Sequence, residues 1–215
     1  MARPLLQVAL DNKCLEDAID TLGNGLGETV DIIECGTYLI MMEGVRAIRL
    51  IRRMYPHKMM VADFKLILPQ FGTAILAEGA ELNTINSTCL DVTVQKIQDE
   101  AVSRGQKVEI EFYGDAWSFE KLEQWKAMGI EHVIYTRPRV LGGDWGEKDV
   151  KVVQKICDMG FKVTVAGGIS YKTLDVLAGL PIFALICGRS LYNAENPAEE
   201  AKRMIARIKE LWGEE

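Results

Sequence analysis

Apolar positions along the chain fall into short runs, and polar residues separate them in a regular rhythm. The runs are "LLQVAL", "VDIIEC", "KMMVAD", "ELNTIN", "KVEIEF", "HVIYT", "FKVTVA" and "IFALIC". Each has the length of a buried strand, and several are rich in the β-branched residues that suit a pleated surface. Between the runs the spacing changes to the repeat of an amphipathic helix. In "EGVRAIRLIRRMY" one face carries Val45, Ile48 and Ile51. "DVTVQKIQDEAVSRG", "SFEKLEQWKAMG" and "KDVKVVQKICDMG" each end in glycine, as helix C-termini often do. The terminal "NPAEEAKRMIARIKELW" offers Asn196 as its cap and Pro197 in the first turn, where a missing N–H does no harm.

Strict strand–helix alternation implies parallel strands joined by right-handed crossovers. Eight such units in 215 residues, with no linker or low-complexity segment, predict an α/β fold. The expected form is a single (β/α)8 TIM barrel occupying residues 1–215 as one domain. Barrel chemistry gathers at the C-terminal ends of the strands. The polar residues that close the apolar runs are Asp11, Glu34, Asp63 with Lys65, Glu111, Arg137 with Arg139, Gly167–Gly168 and Gly188–Arg189. One such residue alone is as readily a loop residue at the edge of water. Several on one rim define a candidate site.

Composition narrows the function without naming it. Hydrophobic residues make up 48% and charged residues 26%, the balance of an ordinary globular protein. A net charge of −6 argues against a nucleic-acid surface, though it leaves room for a local basic pocket. The five cysteines (Cys14, Cys35, Cys89, Cys157, Cys187) show no paired spacing and read as reduced thiols. No signal peptide or bilayer-length apolar stretch is present, so the expectation is a cytoplasmic protein without membrane partners.

"AGGIS" at 166–170 and "CGRS" at 187–190 follow the seventh and eighth runs. Glycines there let backbone N–H groups approach an anion, and Arg189 can add charge-assisted bonds, so a phosphate is expected at Gly167, Gly168, Gly188 and Arg189. The plainer reading is a pair of tight turns that need glycine geometry. Glu34 and Asp63 end neighbouring strands, and two hard carboxylates beside a phosphate suit Mg²⁺. Otherwise each simply pairs with Lys65. Strand periodicity puts Asp63 and Lys65 on one face, with Phe64 pointing outside the barrel. Lys65 stays protonated among carboxylates, or becomes an amine nucleophile in an apolar pocket. His57 and His132 fall at the opposite ends of their strands and are structural. Trp117, Trp125, Trp145 and Trp212 are read as packing residues.

The stretches "LQVALDN", "VDIIECGT", "YPHKMMVAD" with Lys65, "IEFYGD" with Trp117, "GDWGEKD", "DMGFKVTVAGGIS" and "CGRS" together resemble the 3-keto-L-gulonate 6-phosphate decarboxylases, with Phe64 between Asp63 and Lys65 a departure. These belong to the orotidine monophosphate decarboxylase suprafamily, alongside hexulose phosphate synthase. The resemblance spans essentially the whole chain. It implies a homodimer, Mg²⁺, a phosphorylated keto sugar acid as substrate, and an enediolate that is later protonated. It further implies that Asp11 contacts substrate, that Glu34 and Asp63 bind the metal, and that Lys65, Glu111 and Arg139 serve catalysis. Gly167, Gly168, Gly188 and Arg189 match the family's phosphate site.

Departures from the family pattern gather on the rim. Leu68 stands where a second aspartate is expected, Thr136 where a histidine is, and Ala166 where a threonine is. Pro69, Gln70 and Phe71 replace small polar residues. The clustering implies weakened native activity, or a repurposed site, natural or engineered. Two alternatives follow: an aldolase-like barrel with Lys65 as amine nucleophile, and a non-catalytic scaffold using "FKLILPQF" and "YLIMM" as an assembly surface.

Overall fold

The computed structural model describes residues 2–66, 76, 78–137 and 144–213, so residues 68–71 and Arg139 lie outside the described residues. Eight parallel strands close into one barrel in sequence order. They are β1 (Leu5–Leu10), β2 (Ile32–Cys35), β3 (Met59–Leu66), β4 (Leu82–Asn86), β5 (Lys107–Glu111), β6 (His132–Thr136), β7 (Lys162–Ala166) and β8 (Ala184–Cys187). β8 pairs back onto β1, with Gln7 opposite Ile186. The expected barrel is the fold.

Period-two alternation divides the core in two. Leu6, Val8 and Leu10 of β1, with Ile33 and Cys35 of β2, belong to the large cluster between strands and helices. Ile32, Val61, Leu82 and Ala184 form a separate plug with Leu5, Met59 and Phe183. Above this plug the inward positions turn polar while staying buried: Gln7, Glu34, Thr84, Glu109 and Thr164. An apolar floor and a polar upper interior direct chemistry to one end.

The helices form where their spacing predicts. Val45–Met54, Asp91–Ser103, Phe119–Ala127, Glu147–Asp158 and Pro197–Trp212 each bury one face. Asn196 caps the last by accepting from the Glu199 N–H at 3.2 Å. β2 begins two residues later than its apolar run, and the Asp31 side chain just before it ties the start of β1. It accepts from the Leu6 N–H and pairs with Arg3 at 2.8 Å. All five cysteines are free, three of them buried. Among the described residues no helix is long and apolar enough to cross a membrane.

The two histidines take structural places. His57 is exposed in the turn before β3. His132 is buried at the start of β6, its ring edge-on to Phe183 at 4.9 Å between centroids. Burial, with Lys162 and Lys107 nearby, pushes its imidazole down to about 4, so it is neutral at physiological pH.

Candidate active site

A cavity of about 1180 Å³ opens at the C-terminal end of the barrel. Asp11, Glu34, Asp63, Lys65 and Glu111 line one part of it, and Gly167, Gly168, Gly188 and Arg189 another. Six strand ends thus supply one volume. Arg137 also lines it, while Arg139 falls outside the described residues. The exposed side chains of Tyr38 and Met41, from the helix Thr37–Glu43, reach the same cavity and leave its mouth apolar.

Lys65 sits at the centre of the charged part. Its Nζ donates to Asp63 Oδ2 at 2.8 Å and to Glu111 Oε2. Regular strand alternation does not account for this placement. The β3–β4 register shifts between Ala62 and Leu66, and Lys65 adopts φ +46°. A non-glycine residue in the left-handed region costs about 1–2 kcal/mol. Phe64 packs against the outer core cluster, as expected.

Burial works against the Lys65 ammonium, but Asp63 and Glu111 outweigh it by charge and hydrogen bonding, and its pKa is raised. The lysine is therefore an ammonium at neutral pH. That runs against an amine nucleophile. Glu111 is oriented from its other side by Thr136 Oγ1, which donates to Oε1 at 2.8 Å.

Glu34 and Asp63 are both nearly fully buried. Glu34 Oε2 accepts from Gln7 Nε2 at 2.6 Å, and Asp63 Oδ2 accepts from Thr37 Oγ1 at 2.7 Å. Asp63 Oδ1 is buried with no hydrogen-bond partner. Desolvation first, then the Asp63 charge, raises the Glu34 carboxyl well above its usual range. An orphaned carboxylate oxygen beside a second, desolvated carboxyl fits a small dication, which would satisfy the one and favour the ionised form of the other. Among the described residues no group of three or more His, Cys, Asp or Glu side chains forms a metal cage. A dication here would complete its shell with water or substrate oxygens.

The opposite wall is built from backbone. Gly167 and Gly168 follow β7 with φ +91° and +78°. A Cβ on Gly167 would meet the Arg137 carbonyl oxygen at 2.5 Å, so glycine is required there. Gly188 precedes the short helix that begins at the exposed Arg189.

Four contributors escaped the sequence reading. Gln7 and Thr37 hold the carboxylates, yet nothing in their local spacing marks them. Glu109 lies fully buried on β5, two residues below Glu111. Its Oε1 accepts from Thr84 Oγ1 at 2.8 Å and its Oε2 has no partner. The "EIE" alternation could have revealed Glu109, since Glu111 and its i−2 neighbour share a face. Trp145 does more than pack. It lines the cavity and its indole N–H donates to the Gly167 carbonyl at 2.8 Å.

Residues 4–204 match the family described as Orotidine 5'-phosphate decarboxylase / HUMPS. The chain is 40% identical over 220 residues to the 3-keto-L-gulonate-6-phosphate decarboxylase UlaD of Salmonella paratyphi B, covering 99% of this chain and 100% of that protein. A crystal structure of KGPDC from Streptococcus mutans has a TM-score of 0.90 at 33% identity. It covers 99% of this chain and 100% of its own. The 3-hexulose-6-phosphate synthase from Salmonella typhimurium gives a TM-score of 0.86 at 26% identity, with 96% and 99% covered. Matching the family along nearly its whole length, the chain belongs to the orotidine 5'-phosphate decarboxylase / HUMPS family.

Proposed function

We propose that the chain decarboxylates a phosphorylated keto sugar acid, 3-keto-L-gulonate 6-phosphate, with Mg²⁺ as cofactor. Family membership and the names of the relatives support the substrate class. The observation that carries the reading is Lys65, held as an ammonium by Asp63 and Glu111 in the same cavity as the glycine turn at 167–168.

Loss of carbon dioxide breaks a carbon–carbon bond and leaves the electron pair on the sugar as an enediolate. That charge must be stabilised and then quenched by a proton. Lys65 suits both tasks. Its two carboxylate partners keep it charged at rest, and a carbanionic carbon is a strong enough base to take its proton. Glu111, aimed by Thr136, and Asp63 keep the ammonium in position. Glu34 and Asp63 would hold Mg²⁺, which supplies positive charge to substrate oxygens. Asp11 would contact a substrate hydroxyl, and Arg139 would assist protonation, both by family resemblance. Backbone N–H groups at Gly167, Gly168 and Gly188, with Arg189, would take the phosphate.

The direct test is carbon dioxide release from 3-keto-L-gulonate 6-phosphate, with Mg²⁺ and after chelation. Release is expected only with the metal present, and no release in either arm would sink the reading. Arg189→Ala is expected to weaken phosphosugar binding by about 1.5–3 kcal/mol, seen as a higher KM. An unchanged KM would remove Arg189 from the phosphate site. Neither the amine-nucleophile nor the scaffold alternative draws support from the relatives.

A further inference from the structure

We infer that Trp145 is a positioning residue: by holding the Gly167 carbonyl, its indole N–H sets the direction of the Gly168 N–H in the cavity wall. This rests on the reading of that turn as the phosphate cradle. In a trans peptide the carbonyl of one residue and the N–H of the next point in opposite directions. The plane joining Gly167 to Gly168 lies between two glycines, whose backbones rotate most freely, so something outside the turn must fix it. Two features of the segment after β6 do so. The backbone of Arg137 packs so closely on Gly167 that a Cβ there would lie 2.5 Å from the Arg137 oxygen. Trp145, from the same segment, donates to the Gly167 carbonyl at 2.8 Å.

The clamp is itself held in place. Trp145 is only 5% exposed, so water competes poorly for its hydrogen bond. Its ring lies edge-on to Tyr135 at 5.8 Å, and the Tyr135 hydroxyl donates to Asp149 Oδ1 at 2.9 Å. Among the described residues no protein acceptor takes the Gly168 N–H. A donor whose direction is set before the ligand arrives binds an anion without first being reorganised. A packing role alone would need the ring and not the N–H.

The test compares the full-length wild type with Trp145→Phe and Arg189→Ala, by calorimetric titration of inorganic phosphate and by steady-state kinetics. Trp145→Phe is expected to weaken phosphate binding and raise KM by roughly 10-fold, with kcat within about twofold of wild type. If Arg189→Ala weakens phosphate and Trp145→Phe does not, the clamp is overturned while the cradle stands. If wild type binds no phosphate, the cradle reading falls and the clamp with it. Comparable losses in KM and kcat with a lowered melting temperature would mark a packing role and overturn the clamp. Should Trp145→Phe fail to fold, the benzothienyl analogue of tryptophan at position 145 removes the N–H alone, and the same outcomes decide.

Discussion

Lys65→Met is expected to lower the rate of carbon dioxide release by about 10²–10⁴-fold, the usual consequence of losing a positioned proton donor. The loss should fall on kcat more than on KM, because the ammonium meets its full counter-charge only as the carbon–carbon bond breaks. Methionine keeps the length and apolar stem of the side chain, so circular dichroism should report a folded barrel. Some stability is lost as well, since Asp63 and Glu111 both lose the cation they share. Borohydride trapping with a small ketone provides the companion measurement. Wild type should remain unlabelled at Lys65 at pH 7, because an ammonium with a raised pKa does not form a Schiff base. Efficient labelling that disappears in Lys65→Met would overturn the proton-donor role in favour of the amine nucleophile.

Glu109→Gln is expected to stabilise the protein progressively as pH rises. Burial first pushes the Glu109 carboxyl from 4.5 up to about 8; the Thr84 hydrogen bond opposes it, Asp63 and Glu111 add smaller upward contributions, and Lys65 a small downward one. Between those values the unfolded chain has released its proton and the folded chain keeps it. The folded state therefore binds more protons, and wild-type stability falls as pH climbs through this window. From pH 5 to pH 8 the contribution is about 3 kcal/mol. Glutamine has no proton to lose and can still accept from Thr84. The melting-temperature gap between variant and wild type should widen by about 6–12 °C over that range, for a chain of this size. Taking the difference also cancels His132, which acts at the acid end because its depressed pKa costs stability as pH falls below 6.5. Parallel curves for the two proteins would show that Glu109 is ionised in the folded state.

Local pattern alone determined the barrel and the membership of its rim. A strand buried on both faces reads as a mostly apolar run, and a polar residue that closes such a run marks where the strand meets water or a site. The ends of "VDIIEC", "KMMVAD" and "KVEIEF" therefore announced Glu34, Asp63 and Glu111. The glycine pair after β7 was equally legible, since few other residues tolerate φ +91° followed by +78°. The partners of those groups were decided only by tertiary structure. Lys65 and Glu111 are 46 positions apart, and Thr37 reaches Asp63 across 26. The β3 irregularity that aims Lys65 depends on pairing with β4, which no property of "DFK" encodes. Glu109 gives the same lesson for ionisation. On an open sheet it would be a solvated carboxylate, but closure of the barrel removes its water and raises its pKa. Trp145 was recognisable as an apolar ring, while the acceptor for its N–H came from a turn 22 residues further on. Periodicity is a property of neighbours along the chain. Charge state and hydrogen-bond direction depend on distance through space and on exclusion of water, and folding sets both.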